Sequence, residues 1–248
     1  MKILMGGLVL VERTLTISAN QDAGYNIYTA AGSPAGASLF IVTINTGIRV
    51  MSLTSSACPS GSQFRIINNG CIFGYGGGGG NGGNASGSGV NPGSAGAAGG
   101  IAIALPSGLA LLEMNNTNGY ILGGGAGGTG GSSFYSGLGN TGGGGGGGGA
   151  GGGAYGNGGT IGTGSIAPAI GYASYLPNWN GSYWNEGFPS KFMEVGPGGA
   201  GGHDFYGDGA YGSSGTAYGT SGKAINLNGV PITWLGGNTA AQVKGTVS

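Results

Sequence analysis

The side chains able to do acid–base or nucleophilic chemistry are few and scattered. The single histidine, His203, precedes Asp204. A Ser-His-Asp arrangement needs a framed nucleophile as well, and no serine here is framed as one. His203 also falls on the third position of a Gly-Gly-X register, where a surface or bundle-edge residue is the plain reading. Glu186 and Glu194 are a carboxylate pair of the kind that hydrolyses glycosides, but most glutamates are solvated surface residues. Gly-x-Gly-x-x-Gly recurs many times, yet no strand–helix context surrounds it. Gly222-Lys223-Ala224 lacks the hydroxyl residue of a phosphate loop. One histidine and two cysteines, Cys58 and Cys71, do not make a zinc site. The two cysteines flank a turn-rich stretch; they either close one loop or stay as two thiols. The expectation is no catalysis, no metal and no cofactor.

Aromatic residues offer a different chemistry, that of binding. Phe134 and Tyr135 lie in 132–141. Tyr175, Trp179, Tyr183, Trp184 and Phe188 crowd into 165–195, and Phe205, Tyr206 and Tyr211 lie in 203–218. Tyr and Trp give large contact area at small entropic cost beside Ser, Gly and Asn, the composition of antibody loops. Aromatic anchors also dominate interface hot spots. The bland alternative is that they form small cores over the ends of a glycine scaffold. As a set they exceed what such caps need, so they are the candidate receptor-binding residues.

The stretches between these loops must position them. Residues 124–132 read Gly-Gly-Ala, Gly-Gly-Thr, Gly-Gly-Ser, and 76–84 read Gly-Gly-Gly, Gly-Gly-Asn, Gly-Gly-Asn. The register returns at 198–203 and in the run 142–153. A period of three is neither the helical nor the strand period; it is that of polyproline II, about 3.1 Å per residue. Glycine on two of three edges lets neighbouring backbones approach and hydrogen-bond. The pattern therefore predicts stacked polyglycine II helices folded back and forth. Glycine loses more freedom on ordering than any other residue. Inter-helix hydrogen bonds of roughly 1 kcal/mol each must offset that loss. The rival reading is a flexible glycine-rich linker. The kept register and the interrupting aromatics count against it.

Composition narrows the partners. The 248 residues include 67 glycines, with seven basic and seven acidic side chains, and no Lys or Arg lies between Arg65 and Lys191. Zero net charge argues against nucleic acid, which demands a basic patch, and against electrostatic membrane binding. No segment is long enough to span a membrane as a helix. The short apolar run near Lys2 is broken by Gly6 and Gly7 and lacks a small-residue cleavage pattern before Glu12 and Arg13. It reads as a first strand or a docking segment.

Residues 8–11, 14–17, 25–28, 39–44 and 48–53 read as strands, punctuated by turn residues such as those at 45–47. They suggest an N-terminal β attachment domain over 1–59, followed by a glycine-rich receptor-binding domain over 60–248. An internal repeat begins the second part. Ile66-Ile67-Asn68-Asn69-Gly70-Cys71-Ile72-Phe73, Met114-Asn115-Asn116-Thr117-Asn118-Gly119-Tyr120-Ile121-Leu122 and Ile225-Asn226-Leu227-Asn228-Gly229-Val230-Pro231-Ile232 each place an Asn-Gly between apolar runs. Asn-Gly is the strongest short-range hairpin signal, so three hairpins are expected, two of them launching a glycine helix. The fold class is mainly β with irregular glycine-rich structure and little or no α-helix.

Residues 66–74 and 118–125, each an Asn-Gly followed by glycines, resemble the glycine-rich tips of bacteriophage tail fibres. The pattern is similar to the distal adhesins of T-even-like phages and to the ends of tail-tip host-specificity proteins. The resemblance covers roughly residue 60 to the end. It implies a polyglycine II sandwich in the virion tail fibre or tail tip. Its exposed loops would bind a bacterial outer-membrane protein or lipopolysaccharide, and its partner would be another tail-fibre or tail-tip protein. Monomer and homotrimer both stay open. A glycine-rich ice-binding protein and a structural matrix protein are the alternatives. The first wants a flat array of small residues without crowning aromatics, and the second more regular repeats.

Overall fold

The structure, a computed structural model, describes residues 2–5, 8–84, 91–131, 133–136, 139–141, 178–179, 184–185 and 220–248. Its β-rich part is a three-faced parallel β-solenoid, climbed rung by rung. The first rung holds β1 (Lys2–Met5), β2 (Leu8–Ile17), β3 (Tyr25–Asn26) and a one-turn helix, α1 (Ile27–Ala30). The second holds β4 (Ser38–Ile44), β5 (Arg49–Met51) and β6 (Leu53–Thr54). The third holds β7 (Gln63–Asn68), β8 (Cys71–Phe73) and, after a long excursion, β9 (Ile103–Ala104). The fourth starts with β10 (Leu111–Asn115) and β11 (Tyr120–Leu122). A longer excursion follows, with β12 (Phe134–Ser136), β13 (Gly139–Thr141), β14 (Asn178–Trp179) and β15 (Trp184–Asn185), before β16 (Ile225–Asn226) closes the rung. The last rung is β17 (Ile232–Gly236) and β18 (Val243–Lys244).

The first face runs β1-β2-β4-β7-β10-β17, the second β18-β11-β8-β5 and the third β16-β9-β6-β3. Within these faces every pair is parallel except β1 with β2. Alternation fills the interior. Phe40, Phe64 and Leu112 stand in register, as do Val42, Ile66 and Met114, and all six are fully buried. The rings of Phe40 and Phe64 stack with centroids 4.9 Å apart. The alternate residues Ile41, Arg65 and Glu113 also share a register, and Arg65 Nε donates to Glu113 Oε2 at 2.6 Å. Arg49 binds Asp22 through both Nε and Nη2, at 2.7 Å each.

The three Asn-Gly sequences turn solenoid corners and do not close hairpins. β7 pairs with β4 and β10, while β8 pairs with β5 and β11. The flanks of the other two copies likewise lie on different faces, as do the strands around 45–47. The reason is in the backbone. A two-residue hairpin loop of the Asn-Gly kind wants positive φ at both central residues, yet neither Asn69 nor Gly70 has it. Gly70 is required for another reason: a Cβ there would lie 2.1 Å from Ile48 O. Stacked asparagines seal this corner. Asn68 Nδ2 donates to Asn116 Oδ1 at 2.7 Å, and Asn116 Nδ2 donates to Gly237 O at 2.9 Å. Asn228 and Gly229 do adopt positive φ, 48° and 83°, but β16 and β17 still pair with β9 and β10.

Smaller differences follow from tertiary packing. Residues 8–11 and 14–17 join in one strand. The stretch 25–28 is only half strand, because Asn26 Oδ1 accepts from the amides of Tyr28 and Thr29 and caps α1. β4 pairs with β7 in parallel, so the first face runs on past residues 59 and 60. No disulfide joins Cys58 and Cys71. Burial raises the Cys58 thiol pKa.

Candidate receptor-binding tip

Among the described residues, three struts link the solenoid to its far end: strut I (74–84) leaves β8, strut II (91–100) returns to β9, and strut III (123–131) leaves β11. Their mutual hydrogen bonds recur every third residue. The amides of Gly74, Gly77, Gly80 and Gly83 donate to the carbonyls of Leu122, Gly125, Gly128 and Gly131. Those of Ser94, Ala97 and Gly100 donate to Asn81, Gly78 and Tyr75. Those of Gly124, Gly127 and Gly130 donate to Gly100, Ala97 and Ser94. Struts I and III therefore run parallel, with strut II antiparallel to both. The period expected from the sequence is present as a hydrogen-bond period.

Close approach explains the glycines. A Cβ on Gly77 would lie 2.1 Å from Ala97 O, one on Gly96 2.0 Å from Gly127 O, and one on Gly127 2.0 Å from Gly78 O. Each strut thus presents one glycine in three to the next strut, around a common axis. Strut II satisfies this with Gly93, Gly96 and Gly99 alone and carries Ser94, Ala95, Ala97 and Ala98 between them, all four exposed. Sequence reading missed this strut because it looked for paired glycines; the spacing of 93, 96 and 99 was the available signal. Strut III is the opposite case, and Ala126 and Thr129 in it are fully buried.

At the far end the struts give way to the aromatic chain. Asn91 N donates to Ser133 Oγ and Ser133 N to Asn91 O, both at 2.8 Å. Asn91 Nδ2 donates to Asn84 O at 2.7 Å. β12 starts at the next residue and pairs antiparallel with β13, Phe134 opposite Thr141 and Tyr135 opposite Asn140. β14 and β15 form a second pair, in which Trp179 stands opposite Trp184 and Asn178 opposite Asn185. Of the candidate receptor-binding residues, Phe134, Tyr135, Trp179 and Trp184 lie on these short strands. Tyr175, Tyr183, Phe188, Phe205, Tyr206 and Tyr211 lie outside the described residues, as do Glu186, Glu194 and His203. Among the described residues no His, Cys, Asp and Glu cluster could hold a metal ion.

No curated protein sequence matches this chain. Its fold is similar to that in the crystal structure of the gp37-gp38 adhesin tip complex of the bacteriophage S16 long tail fiber, with a TM-score of 0.53 and 18% identity. The likeness covers 96% of this chain and 82% of that one. The family model described as phage tail fibre adhesin Gp38 matches residues 12–248. A solenoid with glycine struts ending in short aromatic strands is thus matched by a family model along nearly all its length, and the chain belongs to the phage tail fibre adhesins, components of the virion tail fibre.

Proposed function

We propose that the chain is the receptor-binding tip of its fibre and recognises a bacterial outer-membrane protein or lipopolysaccharide through the aromatic segments beyond the struts. One observation carries this reading: the struts bond to one another through backbone groups every third residue. Such a scaffold is nearly indifferent to what its tips contain, so the tips can vary with the receptor while the frame stays fixed. We take the struts to be polyglycine II helices. The role is adhesion without catalysis. The solenoid would hold the chain to a second tail-fibre protein, by analogy with the complex of gp38 and gp37 at the S16 fibre tip.

The charge pattern refines the contact. Lys191 is the one Lys or Arg between Arg65 and Lys223, and Glu186, Glu194, Asp204 and Asp208 outnumber it, so the tip offers aromatic, amide, hydroxyl and carboxylate groups but little positive charge. Lipopolysaccharide would then be met at its sugars and not through its phosphates. The test is adsorption of the purified protein to intact host cells, with pull-downs against outer-membrane proteins and against lipopolysaccharide. Replacing Trp179, Tyr183 or Trp184 by Ala is expected to weaken adsorption about 30-fold, the scale of an aromatic hot spot, with unchanged thermal unfolding. Normal adsorption by all three variants would overturn the loop assignment.

A further inference from the structure

We propose that Asn91 and Ser133 are positioning residues for receptor binding, a clasp that fixes the β12–β13 pair against the end of struts I and II. The proposal rests on the reading above that aromatic segments beyond the struts meet the receptor. Its own observation is a change of bonding at the strut ends. Along strut II the amides of Gly100, Ala97 and Ser94 donate in turn to the carbonyls of Tyr75, Gly78 and Asn81. Three residues on, the same step would carry the Asn91 amide to Asn84 O. Instead that amide donates to Ser133 Oγ at 2.8 Å, and Asn84 O receives the Asn91 side-chain amide at 2.7 Å. The Asn91 carbonyl still takes the Ser133 amide at 2.8 Å, in step with the bonds from strut III to strut II.

Side chains thus enter a ladder that lower down is mostly backbone. A backbone bond uses groups that every residue but proline carries, whereas a hydroxyl acceptor and a side-chain amide donor at fixed positions depend on the residue type. Ser133 is buried, 2% exposed, so water cannot readily replace its hydroxyl. It also lies one residue before Phe134. The first aromatic strand therefore starts from a residue tied to strut II, and strut II is tied through Asn91 to the end of strut I. One clasp thus holds the end of strut I, the start of strut II and the residue before β12 in a single frame.

The experiment uses the full chain and intact host cells as the probe, with affinity read by flow cytometry. Ser133→Ala should weaken binding about tenfold, the scale of one buried hydrogen bond lost. Ser133→Thr, which keeps the hydroxyl, should recover most of it. Asn91→Asp keeps the shape but loses the donor to Asn84 O, and is expected to behave like Ser133→Ala. Ala98→Ser, on the exposed part of strut II, serves as control. Amide exchange at 134–136 should quicken in Ser133→Ala while that at 74–80 is unchanged, which general destabilisation would not produce. Binding within twofold of wild type by both Ser133→Ala and Asn91→Asp, alongside weakened Trp184→Ala, would overturn the clasp alone. Normal binding by Trp179→Ala, Tyr183→Ala and Trp184→Ala as well would overturn the loop reading itself.

Discussion

The solenoid and the struts solve one problem by opposite means. In the solenoid the chain is held apart by side chains, and alternate residues fill the space between three faces. In the struts the backbones touch, and the structure depends on what the side chains lack. Phe64 is fully buried with its ring stacked on Phe40; Gly127 leaves no room for even one carbon beside Gly78 O. The first region should therefore suffer most when a residue shrinks, and the second when a residue grows. The two meet without a break, because the β8–β11 ladder passes straight into the Gly74–Leu122 and Gly77–Gly125 bonds.

Substitutions can break that contrast. Phe64→Ala should have the largest effect, about 3–5 kcal/mol from lost burial and an unfilled cavity, measured by denaturant unfolding. Phe64→Leu, which keeps more of the volume, should cost clearly less. Next comes Gly127→Ala. Forcing a methyl against a backbone oxygen should cost about 1–3 kcal/mol, with faster amide exchange confined to the struts. The contrast would fail if Gly127→Ala were neutral. The smallest effect tests the solenoid from its surface. The Arg65–Glu113 pair bridges two rungs, but the Arg65 side chain is 43% exposed. A double-mutant cycle with alanines should give a coupling of only about 0–1 kcal/mol, since it is interior packing and not surface charge that holds the rungs.

Part of this was legible from the residues. The three-residue period survived into the structure because it reflects a steric demand local to each strut. Strand character was legible too, from β-branched runs. Pairing was not. An apolar run, an Asn-Gly and another apolar run have the same alternation in a hairpin and at a solenoid corner. The distinguishing facts are remote: Phe64 lies beside Phe40 and Leu112, not beside anything across Gly70. One clue was in reach. Arg65 with Glu113, Asn68 with Asn116 and Gly77 with Gly125 share one offset along the chain, that between the starts of the first two repeat copies, which mark two stacked rungs and not two hairpins. Trp179 opposite Trp184 was recognised by type but not as a pair, since nothing in composition fixes register between such short strands.

The strut hydrogen bonds run between struts, across the axis along which a cell held at the proposed tip would pull. A load taken at the tip reaches Gly74, Gly77, Gly80 and Gly83 as shear, shared among bonds that must yield together. They are not peeled in turn, as the rungs of a ladder opened from one end would be. An adhesin held at that tip and drawn taut between a drifting virion and its host would thus meet tension along the axis on which the strut bonds share the load.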